Sequence, residues 1–265
     1  MGGNNGGNDG YHKYTSEAGI RILAMAGALF LGADAARAKD ARDTTPVAVP
    51  QSPASPGSQA GLPDARALAD RIARRYGSDA FHRVVSMRFT FHARFKEHDI
   101  GREWTWFPKQ DSVGYRGPDA KGVVIQAAYS RRNAFSLKSD QVAAIDKSFI
   151  NDQYWLLFPL HLKWDKELTL KVSRADRSGE AWRLMVAYPP GGGATPGDAY
   201  DLFVDSSAAI KRWIVRKGDG AEPAREAFWS APVGIGGLGI SLEHPGPDPD
   251  FRLWFTDVKV FTGPT

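Results

Sequence analysis

From Val85 onward, apolar residues fall on every second position. Val85, Met87, Phe89, Phe91, Ala93 and Phe95 alternate with Ser86, Arg88, Thr90, His92, Arg94 and Lys96. A period of two gives a strand one apolar face and one wetted face. The alternation returns in Trp104 and Trp106, in Val113 and Tyr115, and in Val123, Ile125, Ala127 and Tyr129. It returns again in Leu168, Leu170 and Val172, in Trp182, Leu184, Val186 and Tyr188, and in Tyr200, Leu202 and Val204. Asp205-Ser206-Ser207 reads as a hairpin turn into a strand over 210–217. Segments 225–230, 239–243 and 251–260 bring the total to about ten strands. Short Gly, Asp and Pro turns between consecutive strands imply antiparallel pairing. The expected fold is mainly β (α+β): a curled antiparallel sheet forming an incomplete barrel.

Two segments change period from 2 to 3.6. In 64–76, Leu68, Ile72 and Tyr76 recur at helical spacing with small Ala65, Ala69 and Ala73 beside them, and Asp64 can cap the start. This narrow stripe predicts a helix lying against a surface. The second helix starts at a Ser139 cap, carries Val142, Ile145, Phe149, Asp152 and Leu156 at helical spacing, and is expected to end near Phe158, because Pro159 follows. Its last part, Tyr154-Trp155-Leu156-Leu157-Phe158, is apolar on all sides. Such a helix end must be buried all round or face a greasy cavity.

The chain has 265 residues, and the first 63 read differently from the rest. Residues 22–33, ILAMAGALFLGA, follow Arg21 and precede Ala36-Arg37-Ala38. A basic residue, a short apolar run and an A-x-A site make residues 1–38 a candidate secretory signal peptide. The run is shorter than the ~20 residues that span a bilayer. Residues 39–63 carry five prolines among Ala, Ser, Thr and Gln and read as a disordered linker. A single domain over 64–265 is expected, exported to a bacterial periplasm and soluble after cleavage. Only Tyr11, Tyr14 and Phe30 precede Asp64, so 27 of the 30 aromatic residues, including all eight Trp, fall in that domain. The net charge of +4 is a mild bias and no nucleic-acid footprint. With no cysteine, disulfides, thiol nucleophiles and thiolate metal sites are excluded.

The order of elements resembles a known family. A short helix leads into antiparallel strands, a helical insertion carries NDQYWLLFPLHL at 151–162, and Tyr200-Asp201-Leu202-Phe203-Val204-Asp205 turns into Lys211-Arg212-Trp213. Over residues 79–262 this resembles the LolA-like superfamily of periplasmic lipoprotein and lipid carriers, in an outer-membrane lipoprotein-sorting-like branch. The resemblance implies an incomplete barrel enclosing a hydrophobic cavity for acyl chains. It also implies a basic or polar residue near the cavity mouth, for which Arg88, Arg94 and Arg102 are candidates by strand position. The Pro-rich linker is a departure from a minimal carrier and leaves room for a docking or spacer role. The same shell also serves envelope sensors and an enzyme, so fold does not settle function.

Few residues suggest chemistry. The histidines match no H-E-x-x-H spacing; His92 and His98 read as exposed strand and loop residues, His161 as a surface loop residue, and His82 and His244 are singled out for no role. There is no G-x-S-x-G elbow, and Ser136, Ser139 and Ser148 have no recognisable triad partners. Gly234-Ile235-Gly236-Gly237-Leu238-Gly239 lacks the Lys-Ser/Thr of a phosphate loop and reads as a turn between strands, and Gly191-Gly192-Gly193 as a loop tip. Asp140, Asp146, Asp152 and Asp165 read as a solvated helix face with Lys147. No catalytic residue, metal or cofactor is assigned.

The aromatic residues admit two readings: they fill the interior, or they line a pocket for an apolar ligand. The candidate ligand-binding set is Phe89, Phe91, Trp104, Trp106, Tyr115, Ile125, Trp155, Phe158, Trp182 and Trp213, with Trp254 on the same kind of position. The favoured function is a periplasmic binding protein holding a lipid or an acylated protein's chain, monomeric, with an envelope protein as possible partner. The alternatives are an enzyme on the same shell acting on a small apolar substrate, and an envelope sensor or structural protein with a solid core.

Overall fold

The computed structural model describes residues 61–96, 98–132, 140–190, 197–218 and 225–264. The candidate signal peptide, the linker before Gly61, Ser136, Ser139 and Gly191–Gly193 lie outside the described residues. In chain order the elements are α1 (Ala65–Arg75), β1 (Val84–Phe95), β2 (His98–Phe107), β3 (Ser112–Pro118), β4 (Val124–Ser130) and α2 (Asp140–Trp164). Then come β5 (Thr169–Arg174), β6 (Trp182–Ala187), β7 (Ala199–Val204), β8 (Ile210–Arg216), β9 (Arg225–Phe228), β10 (Val233–Ile235), β11 (Leu238–Ile240), β12 (Glu243–Pro245) and β13 (Phe251–Thr262).

A six-stranded sheet runs β12-β13-β1-β2-β3-β4 and a five-stranded sheet runs β5-β6-β7-β8-β9, every pairing antiparallel. Edge meets edge where the Ser230 N–H donates to the Glu243 carbonyl at 3.1 Å, just past β9 and on β12. The far edges, β4 and β5, stay apart in the strand order, so the described strands form no closed barrel. The fold is mostly β, with two α-helices among the described residues, as the alternation predicts. Among the described residues thirteen strands stand where about ten were expected. The difference lies around the one strand expected over 239–243, where β10, β11 and β12 stand, each three residues long and too short to show a period of two. Gly236 and Gly237 make the turn between β10 and β11 with φ of 58° and 84°. A Cβ on Gly236 would lie 2.6 Å from the Val260 Cβ, so the glycine run serves this close turn.

The inward face of β1 carries Met87, Phe89, Phe91 and Ala93, all buried. At its start the register with β13 slips between Val84 and Ser86. Val84 therefore takes the buried position and Val85 is exposed, one residue off the simple alternation. Asp64 caps α1 by accepting the Ala67 N–H at 2.8 Å, and Leu68, Ala69, Ile72 and Ala73 form its buried stripe.

The second helix corrects its expected end. It does not stop near Phe158 but runs through Pro159 to Trp164. A proline inside a helix costs ~3 kcal/mol. Trp155, Leu156, Leu157, Phe158 and Leu160 are each at most 1% exposed. Burying large apolar side chains contributes ~1.5–3 kcal/mol each, so packing outweighs the proline. At the far end the Arg66 guanidinium donates to the Leu162 carbonyl at 3.1 Å, satisfying one terminal acceptor. From Ser148 to Leu162 α2 is thus a buried rod between the sheets. Phe149 meets Trp104 and Trp106 of β2 at ring distances of 5.4 and 5.7 Å, while Trp155 stacks on Trp213 of β8 at 4.5 Å.

Candidate functional site

The two halves of α2 have different surroundings. Along its second half the interior is filled by rings. Phe158 lies 4.9 Å from Tyr200 and 4.7 Å from Trp213, and Trp213 lies 5.7 Å from Trp229. Trp155, Phe158 and Trp213 are each 0% exposed. Ring distances of this size are edge-on and offset packing with no room between.

Along the first half, between α2 and strands β2 and β3, there is a cavity of about 490 Å³. Its outer rim is the β3–β4 turn, Pro118 to Lys121, facing Asp140 and Gln141 at the start of α2. Its walls are Ile100, Ala144 and Ile145, and its inner end is made by Arg102, Tyr115 and Ser148. Burial follows this depth: Ala120, Lys121, Asp140 and Gln141 are exposed, whereas Arg102, Tyr115, Ile145 and Ser148 are buried. The size lies in the range of small-molecule pockets.

The inner end is held by one buried ion pair. Arg102 donates from Nε and Nη2 to Asp152 Oδ2 and Oδ1 at 2.7 and 2.6 Å. Trp104 Nε1 and Asn151 Nδ2 add hydrogen bonds to the same carboxylate at 2.8 and 2.9 Å. Arg102 is 3% exposed and Asp152 0%. The guanidinium also lies over the Phe91 ring, 4.8 Å from its centroid. Burial pushes the Asp152 carboxyl up from the usual range, against the guanidinium and the donated hydrogen bonds. The fork geometry ties β2 to α2.

Tyr115 forms the wall beside this pair. Its hydroxyl donates to the Pro118 carbonyl at 2.7 Å, and burial pushes it up to about 12. A Cβ on Gly117 would sit 2.6 Å from the Tyr115 hydroxyl oxygen, so only glycine lets the ring lie in this position. Ser148 Oγ donates to the Ala144 carbonyl at 3.2 Å, and Asp119 accepts the Lys121 and Val123 N–H groups at 2.8 and 2.9 Å. These wall polar groups are engaged in holding the site's own shape.

A second polar knot closes the C-terminal end of α2. Asp165 accepts from the Tyr154 and Tyr188 hydroxyls at 2.6 and 2.7 Å and from His161 Nδ1 at 3.1 Å. Burial opposes its ionisation, but these donors outweigh burial and hold its carboxyl below the usual range. Gln153 Nε2 contacts the other ring nitrogen of His161 at 2.5 Å.

Of the candidate ligand-binding residues, the structure brings Tyr115 into the cavity wall. Trp104 stands behind it at a ring distance of 4.7 Å, and Phe91 lies under Arg102. Phe89 meets Phe255 at 6.1 Å, Trp106 packs on Phe81 and Phe149, and Ile125 is half-buried on β4. Trp155, Phe158 and Trp213 belong to the ring-filled half. Trp182 is half-buried under the Arg71 guanidinium, and Trp254 stacks on His92 on the outer face. Ile100 and Ile145 escaped the sequence reading as wall residues because aliphatic side chains carry no signal beyond periodicity. Of the three candidate basic residues for the cavity mouth, Arg102 is at the buried inner end and not at the mouth, Arg88 is exposed and Arg94 pairs with Asp99 on the surface.

Two sequence expectations are corrected. The α2 carboxylates do not form a solvated face: Asp152 is wholly buried against Arg102, Asp146 pairs with Arg131 at 2.7 Å, and Asp165 is knotted as above. Asp140 and Lys147 are exposed, and each of the other three carboxylates, buried or half-buried, takes a cation or hydroxyl partner. His161 is not a surface residue, since it is 7% exposed, and His244, which the sequence singled out for no role, is 0% exposed. His161 falls inside the helix because α2 continues past Pro159, and His244 points inward from β12 between Trp155, Trp229 and Phe255.

No protein-family model matches the chain, and no curated protein matches it in sequence. Among solved structures it is similar to a DUF1329 family protein from Desulfovibrio piger, with 12% identity, 76% of this chain and 95% of that chain covered, and a TM-score of 0.40. It is similar to a domain assigned to outer membrane lipoprotein sorting from Vibrio parahaemolyticus, with 8% identity, 74% and 95% covered, and a TM-score of 0.37. The third is the lipoprotein LppX of Mycobacterium tuberculosis, with 11% identity, 75% and 97% covered, and a TM-score of 0.27. At TM-scores below 0.5 these neighbours carry no argument about what this chain binds. No helix among the described residues is long and apolar enough to cross a membrane.

Proposed function

We propose that this chain is an exported binding protein that holds an apolar ligand, a lipid or the acyl chain of a lipoprotein, between the first half of α2 and strands β2 and β3. The observation that carries this reading is the cavity of about 490 Å³, with aliphatic walls and a buried Arg102 at its inner end. Binding comes from withdrawing methylenes from water, at ~0.8 kcal/mol each. Arg102 has two nitrogens on Asp152 and closes the inner end against which the ligand abuts. Tyr115 and Ile145 are the walls against which the chain lies, with Trp104 and Phe149 as backing rings. The reading includes export to the periplasm and transfer of the ligand to or from an envelope partner.

The test is displacement of a fluorescent fatty acid from delipidated protein. Micromolar, saturable binding that Ile145→Trp abolishes supports the proposal. Absence of binding by folded protein rejects it.

A second reading has its own observation. The ring-filled half around Trp155, Phe158 and Trp213 suits an envelope sensor or structural protein with a solid core. In that case the cavity stays empty and a protein partner, not lipid, is retained when the chain is isolated from an envelope fraction.

A further inference from the structure

The cavity has a capacity as well as a chemistry. Its inner end is closed twice. First comes the Arg102–Asp152 pair, whose carboxylate is saturated by Arg102, Trp104 and Asn151. Behind it, Trp104 lies 4.7 Å from Tyr115 and 5.4 Å from Phe149, leaving no gap between the rings. Deeper along α2 the interior is packed, with Trp155 on Trp213 at 4.5 Å. A ligand therefore cannot lengthen the cavity inward without breaking a bidentate buried ion pair, and breaking such a pair is costly. At about 30 Å³ per methylene, the share of one water in the liquid, the 490 Å³ hold one chain of on the order of 16 carbons. Two chains of that length side by side need twice that volume.

The rim places no single sign of charge on a headgroup. Lys121 and Asp119 share the β3–β4 turn opposite Asp140, and Asp119 is occupied by N–H groups of its own turn. Headgroup charge is thus a weak selector, and chain number is the strong one.

We infer that the site takes one acyl chain per protein, so that its ligand is a single-chain amphiphile, a free fatty acid or a lysolipid, and two-chain lipids are excluded. This rests on the lipid-binding reading above and narrows it to a ligand class. The exclusion is steric: a glycerolipid presents two chains at one headgroup, and the second would remain in water at the rim.

Native mass spectrometry of the delipidated full chain tests this with three probes: oleate, oleoyl lysophosphatidylglycerol and dioleoyl phosphatidylglycerol. The expected result is one oleate or one lysolipid per protein, saturating at a single copy, with the two-chain lipid at least tenfold weaker. Phe149→Ala removes a backing ring and should raise the stoichiometry of oleate or admit the two-chain lipid. Binding of dioleoyl phosphatidylglycerol as tight as the lysolipid, or two oleates on the unaltered protein, would overturn the inference while leaving lipid binding intact. Binding of none of the three by folded protein would sink lipid binding itself and this inference with it.

Discussion

The ion pair at the inner end of the cavity makes a quantitative prediction. Replacing Arg102 by Met removes both nitrogens bound to Asp152 and leaves a carboxylate that is 0% exposed with hydrogen bonds from Trp104 and Asn151 only. Breaking a buried pair from one side typically costs about 3–5 kcal/mol. Replacing both residues, Arg102→Met with Asp152→Leu, removes the stranded charge, and the cost should fall to about 1 kcal/mol or vanish. Urea unfolding of the two single variants and the double variant, followed by tryptophan fluorescence, gives the coupling energy directly. The pH dependence adds a second arm. Burial pushes the Asp152 carboxyl up, and without Arg102 that push has less opposition. A carboxyl whose folded pKa lies above its unfolded value stabilises the fold below the unfolded pKa and loses that contribution as pH rises through the folded one. The deficit of Arg102→Met should therefore narrow as pH falls toward 4 and widen at neutral pH. A single-variant cost below 1 kcal/mol, or a double variant as damaged as the singles, would refute the reasoning that the pair is a closed, mutually dependent unit.

Three other outcomes are expected. His244 is wholly buried among Trp155, Trp229 and Phe255, neither ring nitrogen has a partner in hydrogen-bonding geometry, and burial pushes the imidazole down to about 3, against a smaller opposing pull from the Ser241 backbone. A depressed folded pKa contributes stability above the ordinary value near 6.5 and loses it as pH falls toward 3, so His244→Phe should flatten thermal stability across that window and raise it by about 1–3 kcal/mol; a variant with unchanged pH dependence would count against this. Pro159→Ala restores an N–H inside α2 and should stabilise by up to about 3 kcal/mol, less whatever the buried pyrrolidine ring contributes by packing, as measured by chemical unfolding. Gly117→Ala meets the Tyr115 hydroxyl at 2.6 Å and should displace the ring, weakening fatty-acid binding by tenfold or more with less than about 2 kcal/mol change in stability; unaltered affinity would remove Tyr115 from the wall.

What the sequence made legible follows from periodicity. Long strands such as β1 and β13 announce themselves because twelve residues of alternation outweigh local exceptions. The three-residue strands β10 to β12 have no such length, and the slip that turns Val85 outward depends on pairing with β13, a distant segment. The run from Tyr154 to Phe158 left burial all round or a greasy cavity open, and packing chose the first, while Pro159 misled about the helix end because a local propensity was weighed without the packing that overrides it. At the site, Arg102 stood out as one of three basic strand residues, but its partner Asp152 lies 50 residues on. Three of the four hydrogen bonds donated to that buried carboxylate come from β2, a separate element. Ile100 had no mark, and Ile145 was marked only by helical spacing, not as a wall residue. Whether rings fill or line an interior is likewise a matter of distances: composition gave 27 aromatic residues in the domain, and geometry packs one half of α2 with them while leaving a cavity along the other.

The central claim is that an acyl chain occupies the space between the first half of α2 and strands β2 and β3. A photoreactive fatty acid carrying a diazirine on its chain, irradiated with the delipidated protein and mapped by peptide mass spectrometry, tests it most directly. The account predicts adducts on Ile100, Tyr115, Ala144 and Ile145, competed away by unlabelled oleate. Adducts confined to surface residues, or labelling that oleate does not compete, would contradict it.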